Sequence, residues 1–332
     1  MKRGMVALAI CIVPFAAHAS DFVDIVQAAQ AVNETYLEME VDAELAELRY
    51  QRSRIEAPDE VARLNAEATY LAARASERES LRKFYREVVD AVYDATVADF
   101  DRRIAEMNED LAQRAEAAAE VRFRNGLIPE GDLLDARVAV RSASVETEEQ
   151  TWQWEDALLE LDNATGLTFE QLSLPDMPSF AVRLTADEWI ARDPGVARAR
   201  TAERLAELRL ERLPQNATRF DRTVLETELD RARLARERSV NASDRTYELF
   251  RRRAITVPEI ITIRTEQLEL SRASRREAQE RFDRGLITAS QRDQSQVRVL
   301  TAQKNLIEAE RNFMRIITEY AALAGIAPEE IL

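Results

Sequence analysis

The sequence predicts an all-α protein, a duplicated pair of long antiparallel helical hairpins of coiled-coil type with little or no β-structure. Its 332 residues contain only seven glycines and nine prolines, while Ala, Glu, Arg and Leu are abundant. Apolar residues recur in steps of three and four along uninterrupted stretches. A glycine-centred break also occurs twice, at Gly126 and Gly285, which lie 159 residues apart and so about half the chain apart.

The N-terminal segment has the pattern of a signal peptide. A basic start and an apolar run from Met5 to Ala17 precede a small-x-small site that ends at Ala19. The run is shorter than the ~20 residues that a membrane-spanning helix needs. We therefore predict that residues 1–19 direct export and are removed. The only cysteine and the only histidine, Cys11 and His18, would leave with them.

Composition excludes several classes of function. A net charge of −15 argues against nucleic-acid binding, because the chain has no overall basic field for phosphate groups. A mature chain without histidine or cysteine lacks the commonest general base, a thiol nucleophile and most ligand types of zinc sites. We find no motif for a phosphate loop or a nucleophile. We therefore expect no enzyme, no catalytic residue, no cofactor and no metal site.

In the first half, the pattern predicts helix over residues 21–54, with Asp21 able to cap its first turn. A turn at Pro58 separates it from a helix of ~65 residues, about 100 Å long, whose apolar stripe includes Val88 and Val92. Helix returns from Asp132 to about Leu161. Gly166 is a candidate for the left-handed C-terminal cap.

The second half repeats this plan. Helix is predicted over residues 184–213, with a break at Asp193-Pro194-Gly195, then to about Arg284 and from Ala289 to about Ala324. The offset of 159 also relates Gly166 to Gly325. We expect a first helical repeat at residues 20–171, a linker at 172–183 and a second repeat at 184–332.

One proline breaks the symmetry of the two halves. Pro258 lies inside the second long helical stretch, where a proline removes a hydrogen bond and collides with the preceding turn. We expect a kink or a short break near Thr256. The alternative is a true turn, which would add a further hairpin.

The candidate site is the pair of hairpin tips. Each glycine is followed by two apolar residues, where a turn would ordinarily be polar. Two interpretations remain open: the tips are a docking surface for a partner's helical hairpin, or they only pack against neighbouring helices and close the hairpin. The tip residues are Gly126, Leu127, Ile128, Gly285, Leu286 and Ile287.

The tips also carry a family resemblance. Residues 122–135 contain an Arg-Phe pair, followed by Gly-Leu-Ile and then by the acidic and apolar start of a helix. Residues 281–293 show the same order less fully. The two halves open with similar segments, at residues 21–26 and 193–200. In this order, twice and at matching offsets, these patterns resemble the TolC-like outer-membrane efflux family over nearly the whole mature chain.

The resemblance implies a homotrimer whose long helices form a periplasmic tunnel of twelve helical strands. It implies that the tips form the periplasmic entrance and meet an adaptor protein, and that an inner-membrane pump drives export. It also places entrance carboxylates at Asp132 and Asp135, although the second half has Gln291 and Gln294 there. The other interpretation is that these two aspartates only stabilise the start of their helix.

The chain departs from the family where membrane strands are expected. Neither residues 54–61 nor 213–220 show the alternating apolar and polar runs of about ten residues that a membrane strand requires. We therefore expect the helical plan without the β-barrel strands, which argues against direct membrane insertion. The predicted function is an export duct of the periplasm, associated with the outer membrane. The alternative is a periplasmic coiled-coil scaffold or spacer that is not a channel.

Overall fold

The computed structural model describes residues 22–171, 174, 180–327 and 330. The predicted signal peptide, Asp21 and most of the predicted linker lie outside these residues. In the described part the chain forms eight α-helices and one short 3₁₀ segment, Phe169–Gln171. The α-helices are α1 (Phe22–Gln30), α2 (Glu34–Glu56), α3 (Glu60–Arg124), α4 (Glu130–Thr165), α5 (Ala186–Arg192), α6 (Pro194–Glu211), α7 (Arg219–Asp283) and α8 (Ala289–Ala324).

The long helices of the two halves match in length. Helices α3 and α7 each have 65 residues, and α4 and α8 each have 36. Helix α7 begins 159 residues after α3, and α8 begins 159 residues after α4. No strand occurs in the ranges that the structure describes. The predicted all-α fold of two long hairpins is therefore confirmed.

The connections at the end opposite the tips are short. Residues 57–59 join α2 to α3, and Asp59 caps α3 by accepting a hydrogen bond from the backbone N–H of Ala62 at 2.8 Å. Residues 212–218 join α6 to α7, where Thr218 and Asp221 form a capping box. The chain thus passes from helix to helix at both places, as the sequence predicts.

The expectation of one helix over residues 21–54 was wrong. The structure has two helices there, because α1 ends at Gln30 and α2 begins at Glu34. The side chain of Asn33 accepts a hydrogen bond from the backbone N–H of Tyr36 at 3.1 Å, which caps α2. The break frees α1 to place its apolar face in the protein core.

The expected break at Pro258 is not formed. Helix α7 runs without interruption from Arg219 to Asp283 with Pro258 inside it, so the alternative of an extra hairpin is also wrong. The kink near Thr256 stays a prediction. The backbone carbonyl of Pro258 accepts a hydrogen bond from the Thr262 hydroxyl at 3.0 Å. Packing of α7 along α8 and α6 compensates for the hydrogen bond that the proline cannot donate.

The long helices lie side by side in a layer four helices wide. Towards the tips the order is α4, α3, α8 and α7, and towards the other end α2, α3, α6 and α7. Stacked rings of Tyr50 and Tyr70, 4.4 Å apart, join α2 to α3. Helices α4 and α7 therefore form the two edges of the layer near the tips, each with a neighbour on one side only.

The buried core lies at the waist, where the short helices α1 and α5 pack against the middle of the long ones. Tyr320 of α8 is fully buried there, and its ring lies 5.6 Å from that of Trp189. Its hydroxyl accepts hydrogen bonds from the backbone N–H groups of Arg183 and Leu184. The waist joins the two halves, because this cluster contains residues of α1, α3, α4, α5, α7 and α8.

From the waist towards the tips, ion pairs join the two hairpins along α3 and α8. Acidic residues of α3 bind basic residues of α8 in antiparallel register. The pairs are Asp90 with Arg315, Asp94 with Arg311, and Asp101 with Lys304 at 2.7 Å. A step of four or seven residues along α3 is matched by the same step back along α8. This seam fixes the relative register of the two hairpins.

Candidate functional site at the hairpin tips

Both tips are formed by the same type of backbone turn. Gly126 and Gly285 have φ angles of 69° and 72°, in the left-handed region that favours glycine. The N–H of each glycine binds a phenylalanine carbonyl at 2.8 Å, and the N–H of the following leucine reaches one residue further back. These paired hydrogen bonds satisfy the last carbonyls of the helix and turn the chain in one step.

The apolar tip residues divide into two kinds. Leu127 and Leu286 are 71% and 65% exposed, so each leucine points into solvent at the end of its hairpin. Ile128 and Ile287 are half-buried within one copy of the chain. The isoleucines therefore fit the interpretation that the tip residues close the hairpin. The leucines do not, because nothing in one copy of the chain covers them.

The two tips differ at the start of the returning helix. Thr288 caps α8 through a capping box with Gln291, whereas Pro129 stands at the equivalent place before α4 and has no side-chain cap. Asp132, the counterpart of Gln291, is exposed in the first turn of α4. This position fits a stabilising role at the positive end of the helix. Asp135 is also exposed but lies beyond that turn.

An ion pair that the sequence did not reveal joins the two hairpins near the tips. Asp293 of α8 accepts a hydrogen bond from Arg114 of α3 at 2.5 Å, and Arg292 binds the same carboxylate at 2.7 Å. Burial raises the pKa of the Asp293 carboxyl, but its bonds to Arg292 and Arg114 outweigh burial and lower the pKa overall. Only the folded register brings these residues together, so no local motif indicates the contact.

The first hairpin has a shallow groove beside its tip. Arg137 of α4 crosses it and binds Glu120 of α3 at 3.2 Å and Glu116 at 3.5 Å. Phe123 is 38% exposed in this groove. In the second hairpin the equivalent Phe282 is covered by the guanidinium of Arg292, 4.6 Å from the ring centre. The two tips thus present similar backbones with different side-chain surfaces.

Exposed apolar side chains also line both edges of the helical layer. On α4 they recur in steps of four and seven residues, a heptad spacing that is present in the sequence and predicts a helix-packing surface. Trp152 lies on this stripe and is 62% exposed. The α4 stripe comprises Leu134, Val138, Val145, Trp152 and Leu159; exposed apolar residues of α7 include Leu234, Leu249, Ile260, Ile263 and Leu270.

Other classes of site find no support in the described residues. They contain no helix that is both long and apolar enough to cross a membrane. In the same ranges, no three acidic, cysteine or histidine side chains converge in a way that could hold a metal ion.

Comparison with known proteins finds a family match over part of the chain and a shared fold over most of it. Residues 60–167, from the start of α3 to just beyond α4, match the family model described as outer membrane efflux protein. No curated protein sequence matches the chain. The family match covers the whole first hairpin, including the tip at Gly126.

Solved structures share the fold over most of the chain. The CusC channel is 15% identical with a TM-score of 0.59, over 91% of this chain and 95% of that one. The Campylobacter jejuni CmeC outer membrane channel is 11% identical with a TM-score of 0.57, over 91% and 85%. Vibrio cholerae VceC, an outer membrane protein, is 10% identical with a TM-score of 0.55, over 92% and 96%.

These similarities support a function of the efflux-channel type, and none of the relatives named is an enzyme. The resemblance of this chain to the TolC-like outer membrane efflux protein family is therefore confirmed, by the family match over residues 60–167 and by the fold over most of the chain.

Proposed function

We propose that the chain is one protomer of a homotrimeric helical export duct. The observation that carries this proposal is the layer of four helices with two open edges, α4 and α7, both lined with exposed apolar side chains. Stripes of this kind on long helices mark surfaces that pack against other helices. Three copies joined edge to edge would close the layer into a ring of twelve helical strands.

The internal symmetry indicates how the edges would meet. In one copy, α3 packs against α8 through the ion-pair seam. Because α7 corresponds to α3 and α4 to α8, packing of α7 against α4 of a second copy would repeat this seam around the ring. Val145 and Ile260 then stand where Lys304 and Asp101 stand inside one copy. Both are exposed, at 63% and 45%, so an apolar contact would replace an ion pair.

The division of the chain follows the same symmetry. We propose two helical repeats, residues 20–171 and 184–332, joined by the linker 172–183, after export by the signal peptide 1–19. The equal lengths of the long helices and their common offset of 159 residues support the two repeats. The family match supports a place in the periplasm in association with the outer membrane.

The tips are proposed to form the periplasmic entrance and to dock the helical hairpins of an adaptor, which links the duct to an inner-membrane pump. The exposed Leu127 and Leu286 would insert into the partner, while Gly126 and Gly285 hold the turns and Ile128 and Ile287 anchor them. Transport through the duct would be passive, and the pump would supply the energy.

The exposed Asp132 and Asp135 would attract cations at this entrance. Three copies would supply six carboxylates, all from first hairpins, because the equivalent positions in the second hairpins are glutamines. The preference for cations would therefore be weaker than that of a ring with aspartates in both halves.

A non-channel coiled-coil spacer is the second candidate function. The short links at residues 57–59 and 212–218 favour it, because they join helix directly to helix at the end away from the tips. Such a spacer would need no closed ring of three copies.

Subunit count separates the two candidates. We expect native mass spectrometry of the mature protein to give a trimer. Trp152→Glu would place a charge on the apolar stripe of α4 and should dissociate the trimer. Gln153→Glu adds the same charge at the neighbouring exposed position and serves as the matched control. A monomer or dimer for the unsubstituted chain would exclude the duct.

A further inference from the structure

A half-open cavity of about 350 Å³ lies at the waist, away from the tips. Helices α3, α7 and α8 and the junction between α5 and α6 form its walls. Apolar contacts come from Ala75, Ala242, Leu323 and the ring of Trp189, and polar ones from Arg78, Asp193, Ser239, Ser243 and Thr246. Its volume is within the range of sites for small molecules.

Two polar groups that line the cavity lack partners. The Ser243 side chain is only 4% exposed, and its hydroxyl makes no hydrogen bond within the described residues. The Nε of Arg78 is also buried without a partner there. Its Nη1 donates to the carbonyl of Leu323 at 2.7 Å, so the guanidinium is held in place and does not swing freely. Buried donors without acceptors are costly.

The neighbouring backbone favours this placement of Arg78. Nη2 lies only 2.8 Å from the position that a Cβ of residue 325 would occupy, and residue 325 is glycine. Any larger residue would push the guanidinium away from the carbonyl it binds. Gly325 thus serves two purposes: it ends α8 with a φ of 64° and leaves room for the charge beside the cavity.

The charged groups at and near the cavity carry one excess positive charge, although the whole chain is acidic: Arg74, Arg78 and Arg192 stand against Glu77 and Asp193. Arg78 is influenced by Arg74 and Arg192 and by Asp193 and Glu77. Glu77 is already paired with Arg74 at 2.5 Å, and Asp193 accepts the backbone N–H of Gly195 at 2.7 Å. Burial, and next the charge of Arg74, lower the pKa of the Arg78 guanidinium. An anion placed in the cavity would therefore relieve repulsion.

We propose that this waist cavity is a binding site for a small oxyanion with an apolar body, such as an aromatic or aliphatic carboxylate. The carboxylate pairs with the Arg78 guanidinium, and on binding the Ser243 side chain turns its hydroxyl, which has no partner within the described residues, toward the anion. The apolar body packs on Trp189, Ala242 and Leu323. Because the walls belong to helices of both repeats, the bound anion ties the two halves together at the waist.

The test uses the mature protein and three probes in isothermal titration calorimetry. Benzoate has the required charge and body, inorganic phosphate has charge without the body, and benzylamine has the body with the opposite charge. We expect saturable binding of benzoate, weaker binding of phosphate and no saturable binding of benzylamine. Equal binding of benzylamine, or no saturable binding of either anion, would overturn the proposal.

Substitution locates the site. Ser243→Ala removes one hydroxyl without filling space and should weaken benzoate binding about tenfold, as expected for a hydrogen bond to a charged group. Ser295→Ala removes an equally buried hydroxyl nearer the tips and should leave the affinity unchanged. Circular dichroism checks that both variants fold. Unchanged benzoate affinity in Ser243→Ala would show that the anion binds elsewhere and contradict the assignment.

Discussion

At the scale of single residues, three glycines with the same backbone role differ in their surroundings. Gly126, Gly285 and Gly325 all have φ between 64° and 72° at the end of a long helix. No atom lies within 4 Å of a Cβ built on Gly126 or Gly285, whereas Arg78 lies at 2.8 Å from one built on Gly325. A side chain at Gly126 or Gly285 would therefore strain only the backbone, whereas one at Gly325 would also collide with Arg78.

We predict that Gly126→Ala lowers the free energy of unfolding by about 1 kcal/mol, the cost of a left-handed backbone for a residue with a Cβ. Gly325→Ala should cost about 2 kcal/mol or more, because the guanidinium of Arg78 must also move. Urea unfolding followed by circular dichroism measures both values. Equal losses in the two variants would show that the contact with Arg78 does not matter.

A buried carboxylate gives a prediction on pH. Burial raises the pKa of the Glu310 carboxyl, and Glu310 in turn adds to the effect of burial in raising the pKa of the Tyr93 hydroxyl. Because the pKa of this acid is higher in the folded than in the unfolded state, the folded state holds its proton more tightly. Its ionisation therefore destabilises the fold as pH rises from its ordinary value through the folded value.

We predict that Glu310→Gln raises the free energy of unfolding at pH 7, because the amide carries no charge to be buried. The gain should vanish when the pH is well below the ordinary pKa of glutamate, where both states are protonated. The exposed Glu155, changed to Gln, is the control and should give no such gain. A gain for Glu310→Gln that persists in acid would contradict this explanation.

At the scale of elements, the spacing of apolar residues and the positions of glycine predicted most of the helices. The bounds of α8 were predicted at both ends, because glycines stand at the turns on either side of it. Gly285 and Gly325 both adopt the left-handed backbone conformation, which favours glycine. The break at residues 31–33 was missed, because Asn33 is a weak signal inside a helix-forming stretch. Pro258 does not interrupt α7, because contacts of α7 with its neighbours outweigh the local cost of a proline inside a helix.

The seam between α3 and α8 was not predictable from local sequence. Its ion pairs join residues more than 200 positions apart, and the charges of α3 look like any solvated helix face. Only the fold sets which acidic residue meets which basic one. For the same reason the contact of Arg114 with Asp293 near the tips was missed, while the tip glycines, which act locally, were found.

We predict that Asp94→Arg destabilises the protein by about 1–3 kcal/mol, because it sets two positive charges against each other at Arg311 in a partly buried seam. The double change Asp94→Arg with Arg311→Asp should recover more than half of the loss, since the pair is restored in reverse. Thermal unfolding of the four proteins in the cycle measures the coupling. No recovery in the double variant would mean that the pair does not hold the hairpins in register.

At the scale of the whole molecule, the proposed function depends on the two open edges of the helical layer. The sequence indicated the hairpins, the tips and the family resemblance, but it did not show which helix faces remain open. The structure shows that α4 and α7 each lack a neighbour on one side near the tips and that both carry exposed apolar side chains. The proposed duct follows from closing these edges with further copies.

The most direct test of the duct is a crosslink between copies at one predicted contact. Val145→Cys and Ile260→Cys in the mature chain place thiols at positions equivalent to the Lys304–Asp101 ion pair. Cys11, in the predicted signal peptide, is the only native cysteine. Val145→Cys with Leu270→Cys is the control, shifted by ten residues, about 15 Å, along the same edge.

With a short bismaleimide, we predict covalent trimers for the Val145→Cys/Ile260→Cys protein and few or none for the control. This result would show that α4 of one copy meets α7 of the next in the register of the internal seam. Monomers alone for both proteins, or equal crosslinking in both, would contradict the closed ring.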